Sequence, residues 1–230
     1  MLKENLNKIF DKIKNGNNLG EKILLVGATK TMPVEIINQA VSCGLTAVAE
    51  NRVQEFIEKH KFIDKSTQQH FIGHLQTNKV KYLVGKVSLI HSVDSIRLAQ
   101  EINRVASNRG VIQDILIEVN VGGELSKSGF DLSSCYQAVA EVTSGYNNLL
   151  VKGIMAMLPR SDDKNLLKEL CAKMRAEYDK LKKDGFDMQY LSMGMSNDYE
   201  IAIENGSNLI RLGRTIFGER KQGEITNGNI

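Results

Sequence analysis

The chain has 230 residues, 42% of them hydrophobic and 25% charged, with a net charge of +3. That length suits one globular domain with a sizeable core, since α/β barrels of ~200–250 residues fold as one unit. So small a net charge gives no reason to expect a nucleic-acid partner, and no apolar run approaches the ~20 residues of a membrane span.

The opening segment places Leu2, Leu6, Ile9, Phe10 and Ile13 at helical spacing. It carries acidic residues and no cleavage site, so it reads as part of the fold rather than a signal peptide, and a cytoplasmic protein is the expectation. From there strand-like and helix-like runs alternate. The strand candidates are KILLVGA, LTAVAE, HFIG, VSLIHSV, DILIEVNV, LVKGIMAM, YLSMG and NLIRLG. Helical stretches such as VEIINQAVSCG, SIRLAQEINRVASNRG and NLLKELCAKMRAEYDKLKKDG lie between them. Several helices close at a glycine suited to a C-cap, namely Gly44, Gly110, Gly185 and Gly206. The two prolines, Pro33 and Pro159, each fall just beyond a strand. Strands apolar on both parities imply a parallel sheet covered by helices on both faces. The count points to a (β/α)8 TIM barrel with an extra N-terminal helix; a doubly wound open sheet is the alternative. Cys43, Cys135 and Cys171 are odd in number and far apart, which fits reduced, buried thiols rather than disulfides or a metal site.

Polar residues cluster after the strands. Lys30 and Thr31 follow the first, and Glu50, Asn51 and Arg52 the second. His74, Gln76 and Asn78 follow the third, Ser92 and Asp94 the fourth, and Asn120 with an SKSG turn the fifth. In a parallel barrel these carboxyl ends share the face on which ligands bind. Lys30 can be read two ways: a desolvated, nucleophilic lysine that forms Schiff bases, or a charge reaching solvent. Two segments suit a phosphate. Ser192, Gly194 and Ser196 follow the seventh strand, and Gly213, flanked by Arg211, Arg214 and Thr215, follows the eighth; barrels often bind phosphate there. Each glycine taken alone reads equally as a tight turn. His60 reads as solvated on a helix, and His70 and His91 as hydrogen-bonded structural histidines. Met155, Met157, Met193 and Met195 suit core filling or a flat apolar pocket. No spacing resembles a zinc site or a serine-hydrolase elbow.

Along nearly its whole length the chain resembles the pyridoxal phosphate (PLP) homeostasis proteins, the YggS/PROSC family. The resemblance rests on ATKTMP around Lys30, ENRVQE at 50–55, HFIGHLQTNK at 70–79, HSVD at 91–94, SKSGF at 126–130, LSMGMSND at 191–198 and IRLGRTIFGER at 210–220. It implies a single PLP-binding barrel domain over residues 1–230, similar to the N-terminal domain of alanine racemase. That domain would be monomeric, with PLP held as an internal aldimine. By position, Lys30 matches the Schiff-base lysine, Arg211 the arginine facing the pyridine nitrogen, and Asn51 an amide near the ring. Ser192, Gly213 and the N–H of Arg214 match the phosphate cradle. The sequence departs from the pattern after Gly213: Arg214 stands where many members carry Ser or Thr, and Thr215 follows one place later.

An arginine at the pyridine nitrogen keeps that nitrogen unprotonated and weakens the electron sink. The residues after Gly218 are too few to form a second domain carrying another base. The expectation is therefore a PLP-binding homeostasis protein rather than an enzyme, with apo PLP-dependent enzymes as recipients. A weak PLP-dependent amino-acid racemase, and a Schiff-base aldolase acting on a phosphorylated sugar without PLP, are the alternatives.

Overall fold

Strands buried on both faces organise the molecule. The computed structural model describes residues 1–124 and 128–219, so Ser126 and Lys127 of the expected SKSG turn lie outside the described residues. The parallel strands are β1 (Leu24–Ala28), β2 (Ala47–Glu50), β3 (Gln68–Phe71), β4 (Leu89–Val93) and β5 (Gln113–Asn120), followed by β7 (Leu149–Ala156), β8 (Tyr190–Ser192) and β9 (Leu209–Leu212). Each pairs with the next, and β9 returns to β1, so the sheet closes and the open-sheet alternative is excluded. A two-residue β6 (Phe130–Asp131) adds to β5 outside the ring.

Around the barrel lie α2 (Val34–Ser42), α3 (Val53–Lys59), a 3₁₀ helix (Thr77–Tyr82), α4 (Ile96–Arg109), α5 (Leu132–Gly145), α6 (Lys164–Lys183), α7 (Tyr199–Glu204) and α8 (Arg214–Phe217). The ends of the longer helices are chemically marked. Ser95 accepts from the Leu98 N–H at the start of α4, and Asp163 accepts from the Asn165 and Leu166 N–H groups at the start of α6. Gly44, Gly110, Gly185 and Gly206 all take positive φ at or just past a helix end.

The eighth helix of the ring, α8, is a single turn and cannot cover its flank of the barrel. The N-terminal α1 (Leu2–Ile13) does so, burying Leu6 and Ile9 against Ile37, Ala40, Ile216 and the strand residues Leu25 and Ile210. Asn5 Nδ2 donates to the Ile216 carbonyl at 3.1 Å, pinning α1 to α8. Each such leucine or isoleucine contributes roughly 1.5–3 kcal/mol relative to exposure. On the opposite flank α4, α5 and α6 bury Leu98, Ile102, Val139, Val142, Leu170 and Met174 against the strands, in one continuous cluster.

Inside the ring, Val26, Ala47, Ala49, Leu89, Leu116, Met155 and Leu209 form a small apolar layer. The alternation that points these residues inward also brings in His70, His91, Glu118, Ser192 and Arg211, all buried. Met155 thus belongs to the lumen and Met193 to the outer core, as core filling. The three cysteines are free; Cys135 and Cys171 are buried and Cys43 is half-buried. His60 is less solvated than its helical position suggests, because its ring stacks on Phe56 at 4.8 Å. No helix among the described residues is long and apolar enough to cross a membrane.

Gly153 shows how closely the strands pass. It pairs with Tyr190 beside a register shift between β5 and β7, at φ +153°, and a Cβ there would lie 1.8 Å from the Tyr190 carbonyl oxygen. Gly153→Ala is expected to destabilise the fold by roughly 3 kcal/mol or more, read as a lowered urea midpoint. An unchanged midpoint would mean that the β7–β8 seam yields freely.

Candidate functional site

The deepest element of the site is Arg211, 4% exposed in the lumen on β9. A guanidinium so placed needs acceptors. Nη1 donates to the Ser192 carbonyl at 2.9 Å and to Ser192 Oγ, and Nη2 donates to the Ala156 carbonyl at 3.0 Å. Burial lowers its pKa to about 10, opposed by the carboxyls of Glu118 and Asp198, so it remains a cation at neutral pH. Its Nε–H makes no hydrogen bond among the described residues.

A chain of hydrogen bonds leads away from this cation. Ser192 Oγ accepts from Arg211 and lies 3.2 Å from His91 Nδ1; His91 Nε2 lies 3.0 Å from His70 Nδ1; His70 Nε2 lies 3.3 Å from Gln68 Oε1. With Gln68 Oε1 as the terminal acceptor, one polarity satisfies every member: Ser192 donates to His91, His91 to His70, and His70 to Gln68. Both imidazoles are then neutral. Burial enforces this, holding His70 at about 4 and His91 well below its ordinary value, the latter helped by neighbouring His70 and Arg211. The expected hydrogen-bonded histidines are thus partners of each other, and His91 reaches Arg211 through Ser192.

Ser192, expected at a phosphate, ends β8 inside the lumen. Its hydroxyl is committed to Arg211 and His91, fully buried below the loop. The hydroxyl at the rim is that of Ser196, which accepts from the Thr215 N–H at 3.4 Å. Arg214 is exposed, and its side chain turns to Asn197 Oδ1 at 2.7 Å, tying the loop after β9 to the loop after β8. Asp198 shapes the latter loop by accepting from the Met195 N–H at 2.5 Å. Gly213 has φ −113°, open to any residue, and a Cβ there would meet Ala28 only at 3.4 Å and beyond. Glycine therefore leaves open space at this point of the rim, where a larger residue would narrow it.

Lys30 is half-buried just past β1, between the ends of β2 and β9. Val26 faces the lumen and Thr29 is bonded to Glu50 on the outer side, so alternation carries Lys30 toward the barrel mouth. Asn51 follows β2, and its Oδ1 is buried with no protein partner. Gly73 permits this arrangement, since a Cβ there would lie 2.0 Å from the Asn51 carbonyl oxygen. A groove of about 380 Å³ opens on the far side of Asn51, lined also by Arg52, His74, Gln76, Lys79 and Tyr82. Neither Lys30 nor Arg211 lines this groove. The structure thus gathers Lys30, Asn51, Arg211, Gly213 and Thr215 around one mouth and leaves the Arg214 side chain outside it.

Glu118 is a lumen group that sequence reading missed. Its one signal is a charged residue on the inward parity of an apolar strand. Burial raises its carboxyl to about 7, with Asp94 adding to the effect and Arg211 and His74 opposing it. His74 Nδ1 lies 3.1 Å from Asp94 Oδ2 nearby. No group of three metal-ligating side chains occurs among the described residues.

A closed parallel barrel with a buried arginine in its lumen and a lysine just past its first strand belongs to a recognised class. The family model described as alanine racemase, N-terminal domain, matches residues 2–221. Alanine racemase of Clostridium difficile, 17% identical, shares the fold with a TM-score of 0.79; the match covers 95% of this chain and 56% of that one. A pyridoxal phosphate homeostasis protein of Aquifex aeolicus is 42% identical over 95% of each chain, and one of Vibrio alginolyticus 35% identical over 92% of each. PipY of Synechococcus elongatus, solved with PLP bound, is 27% identical with a TM-score of 0.83, and the match covers 95% of this chain and all of that one. The chain belongs to the pyridoxal phosphate homeostasis protein family.

Glu118 makes the lumen's electrostatics measurable. Between pH 4.5 and about 7 the folded chain holds a proton at Glu118 that the unfolded chain has released, so this residue's contribution to stability falls as pH rises. Ionising it in place costs up to ~3 kcal/mol. Glu118→Gln is expected to gain on the parent progressively across that window, measured as the difference in urea unfolding free energy at pH 4.5, 6 and 8. Parallel profiles would show that Glu118 ionises normally.

Proposed function

We propose that this protein is a PLP-binding protein that holds the cofactor as a Schiff base on Lys30 and serves intracellular PLP homeostasis rather than turnover. The observation that carries this is the convergence of Lys30, Asn51, Arg211 and Gly213 on one barrel mouth, in a chain 42% identical to a PLP homeostasis protein. The donor set fits PLP. Arg211 Nε–H suits an acceptor such as a pyridine nitrogen, and the unpartnered Asn51 Oδ1 suits a hydroxyl donor. The open rim at Gly213, with the N–H of Arg214 and the hydroxyl of Ser196, which the Thr215 N–H holds in place, suits a phosphate. On this reading Ser196, rather than Ser192, supplies the rim hydroxyl, and Arg214 acts through its backbone.

PLP when bound supplies an aldehyde for the lysine and a ring able to delocalise negative charge. The chain's own residues blunt the second property. Arg211 is a fixed cation, held by three hydrogen bonds, and it opposes protonation of whatever nitrogen it faces. The chain of neutral histidines beneath it keeps Ser192 oriented and offers no mobile charge. A holder of a reactive aldehyde needs these properties, and a carbanion-forming enzyme needs the opposite. We place the protein in the cytoplasm as a monomer, one barrel domain over residues 1–230, delivering PLP to apo-enzymes. The racemase reading has the shared barrel in its favour; α-proton exchange on amino acids at enzyme-like rates, abolished by Lys30→Ala, would establish it.

The protein incubated with PLP and reduced with borohydride is expected to carry a pyridoxyl adduct on Lys30, and Lys30→Ala none; an adduct mapped to another lysine overturns the assignment. Ser196→Ala is expected to weaken PLP binding roughly 10- to 100-fold in titration while leaving the adduct on Lys30, as for loss of one hydrogen bond to a charged group. Undiminished affinity would remove Ser196 from the phosphate site.

A further inference from the structure

Lys30 lies between two residues that are both held from outside the barrel. On one side, the Thr29 N–H donates to the Ala49 carbonyl at 2.9 Å, and Thr29 Oγ1 donates to the same carbonyl at 3.1 Å and to Glu50 Oε1 at 2.7 Å. On the other, the Thr31 N–H donates to Glu55 Oε2 at 2.7 Å. One ammonium joins the two sides: Lys59 Nζ donates to Glu50 Oε1 at 2.9 Å, to Glu55 Oε2 at 2.9 Å and to the Thr29 carbonyl at 3.2 Å. Its three donors are all used.

This cluster resists ordinary explanation as a stabilising feature. The Glu50 side chain is 3% exposed with Oε2 unpartnered, and burial pushes its carboxyl up against the pull of Lys59 and Thr29. Buried ion pairs are often no better than apolar side chains of the same volume at joining two elements. Thr31, which is β-branched, is held at φ +66°, a conformation that costs about 1–3 kcal/mol and persists only where the surroundings impose it. An apolar cluster could pack α3 against β2 equally well. It could not fix the two peptides that flank Lys30.

We propose that Lys59, Glu50 and Glu55 form a positioning clamp for Lys30, setting the backbone on both its flanks so that the amine is presented to an aldehyde at the barrel mouth. The inference rests on the assignment of Lys30 as the Schiff-base lysine. None of the three needs to touch the cofactor. In the step they serve, the lysine nitrogen forms a bond to the aldehyde carbon, and the carbonyl oxygen leaves as water with the two protons of the neutral amine. The geometry of approach governs that step.

The test uses the full chain and two ligands. PLP reports condensation, followed as the rate at which the absorbance of the Schiff base appears. Pyridoxine 5′-phosphate, an alcohol, has the ring and the phosphate but cannot condense. Glu55→Ala removes the acceptor of the Thr31 N–H and leaves the deeper Glu50–Lys59 pair. It is expected to slow condensation about tenfold or more, since misplacement by ~1 Å can cost 100-fold, with pyridoxine phosphate affinity changed less than about twofold. Glu55→Gln restores an acceptor and should recover most of the rate. Thr29→Val, nearly isosteric, removes the side-chain tie of the other flank to Glu50 and should also slow condensation selectively; it carries the test if Glu55→Ala does not fold. Unchanged condensation in these variants, or equal losses for both ligands, or no recovery with glutamine, overturns the clamp. An adduct that maps away from Lys30 in the parent overturns the lysine assignment instead, so the two failures are told apart.

Discussion

A single buried cation organises the interior of this barrel. Arg211 cannot shed its charge at neutral pH, so its position in the lumen requires acceptors, and the carbonyls of Ala156 and Ser192 with the Ser192 hydroxyl supply them. Once the Ser192 oxygen accepts from Arg211, its proton must go elsewhere. That sets His91, which sets His70, which ends on Gln68. The constraint thus crosses the lumen from β9 and β8 to β4 and β3, and it requires both imidazoles to stay neutral. Breaking a buried charged group out of such a network typically costs 3–5 kcal/mol, because the abandoned partners remain buried.

The loops around the mouth are tied by separate contacts. The loops after β8 and β9 are tied by Ser196 to Thr215 and by Asn197 to Arg214, and Asp198 closes the first of them onto the Met195 N–H. The short α8 is supported from behind by α1, which takes the place of a full eighth helix. Across the mouth, the loop bearing Lys30 is held by charges outside the ring. A fixed cation below, two tied loops on one side and a held lysine on the other frame the mouth.

Much of the fold was legible in residue order. The alternation of apolar strands with glycine-ended helices foretold a parallel barrel, because burial on two faces and C-capping are local demands that leave local marks. The extra N-terminal helix was visible in the spacing of Leu2, Leu6 and Ile9. Eight strands were marked correctly, and the two-residue β6 was too short to leave a periodic signal. Of the site, the residues after strand ends were legible because amides, hydroxyls and glycines stand out where loops usually carry lysine and glutamate.

Sequence by itself determined the barrel and the extra N-terminal helix, and it set Lys30, Arg211 and Gly213 at strand ends, since each depends on the chain's own periodicity or on motifs of adjacent residues. Tertiary structure alone decided which groups meet. Ser192 and Ser196 are four residues apart and look interchangeable in the sequence, yet one lies under Arg211 and the other at the rim, because the strand ends between them. Glu118 reads as one charge in an apolar strand until closure of the ring buries it near Arg211. Glu50, Glu55 and Lys59 read as ordinary helix and loop charges until the packing of α3 on β2 puts all three behind Lys30. Contacts between segments distant in sequence are set by how the strands close into a ring, and no local pattern of residues encodes that closure.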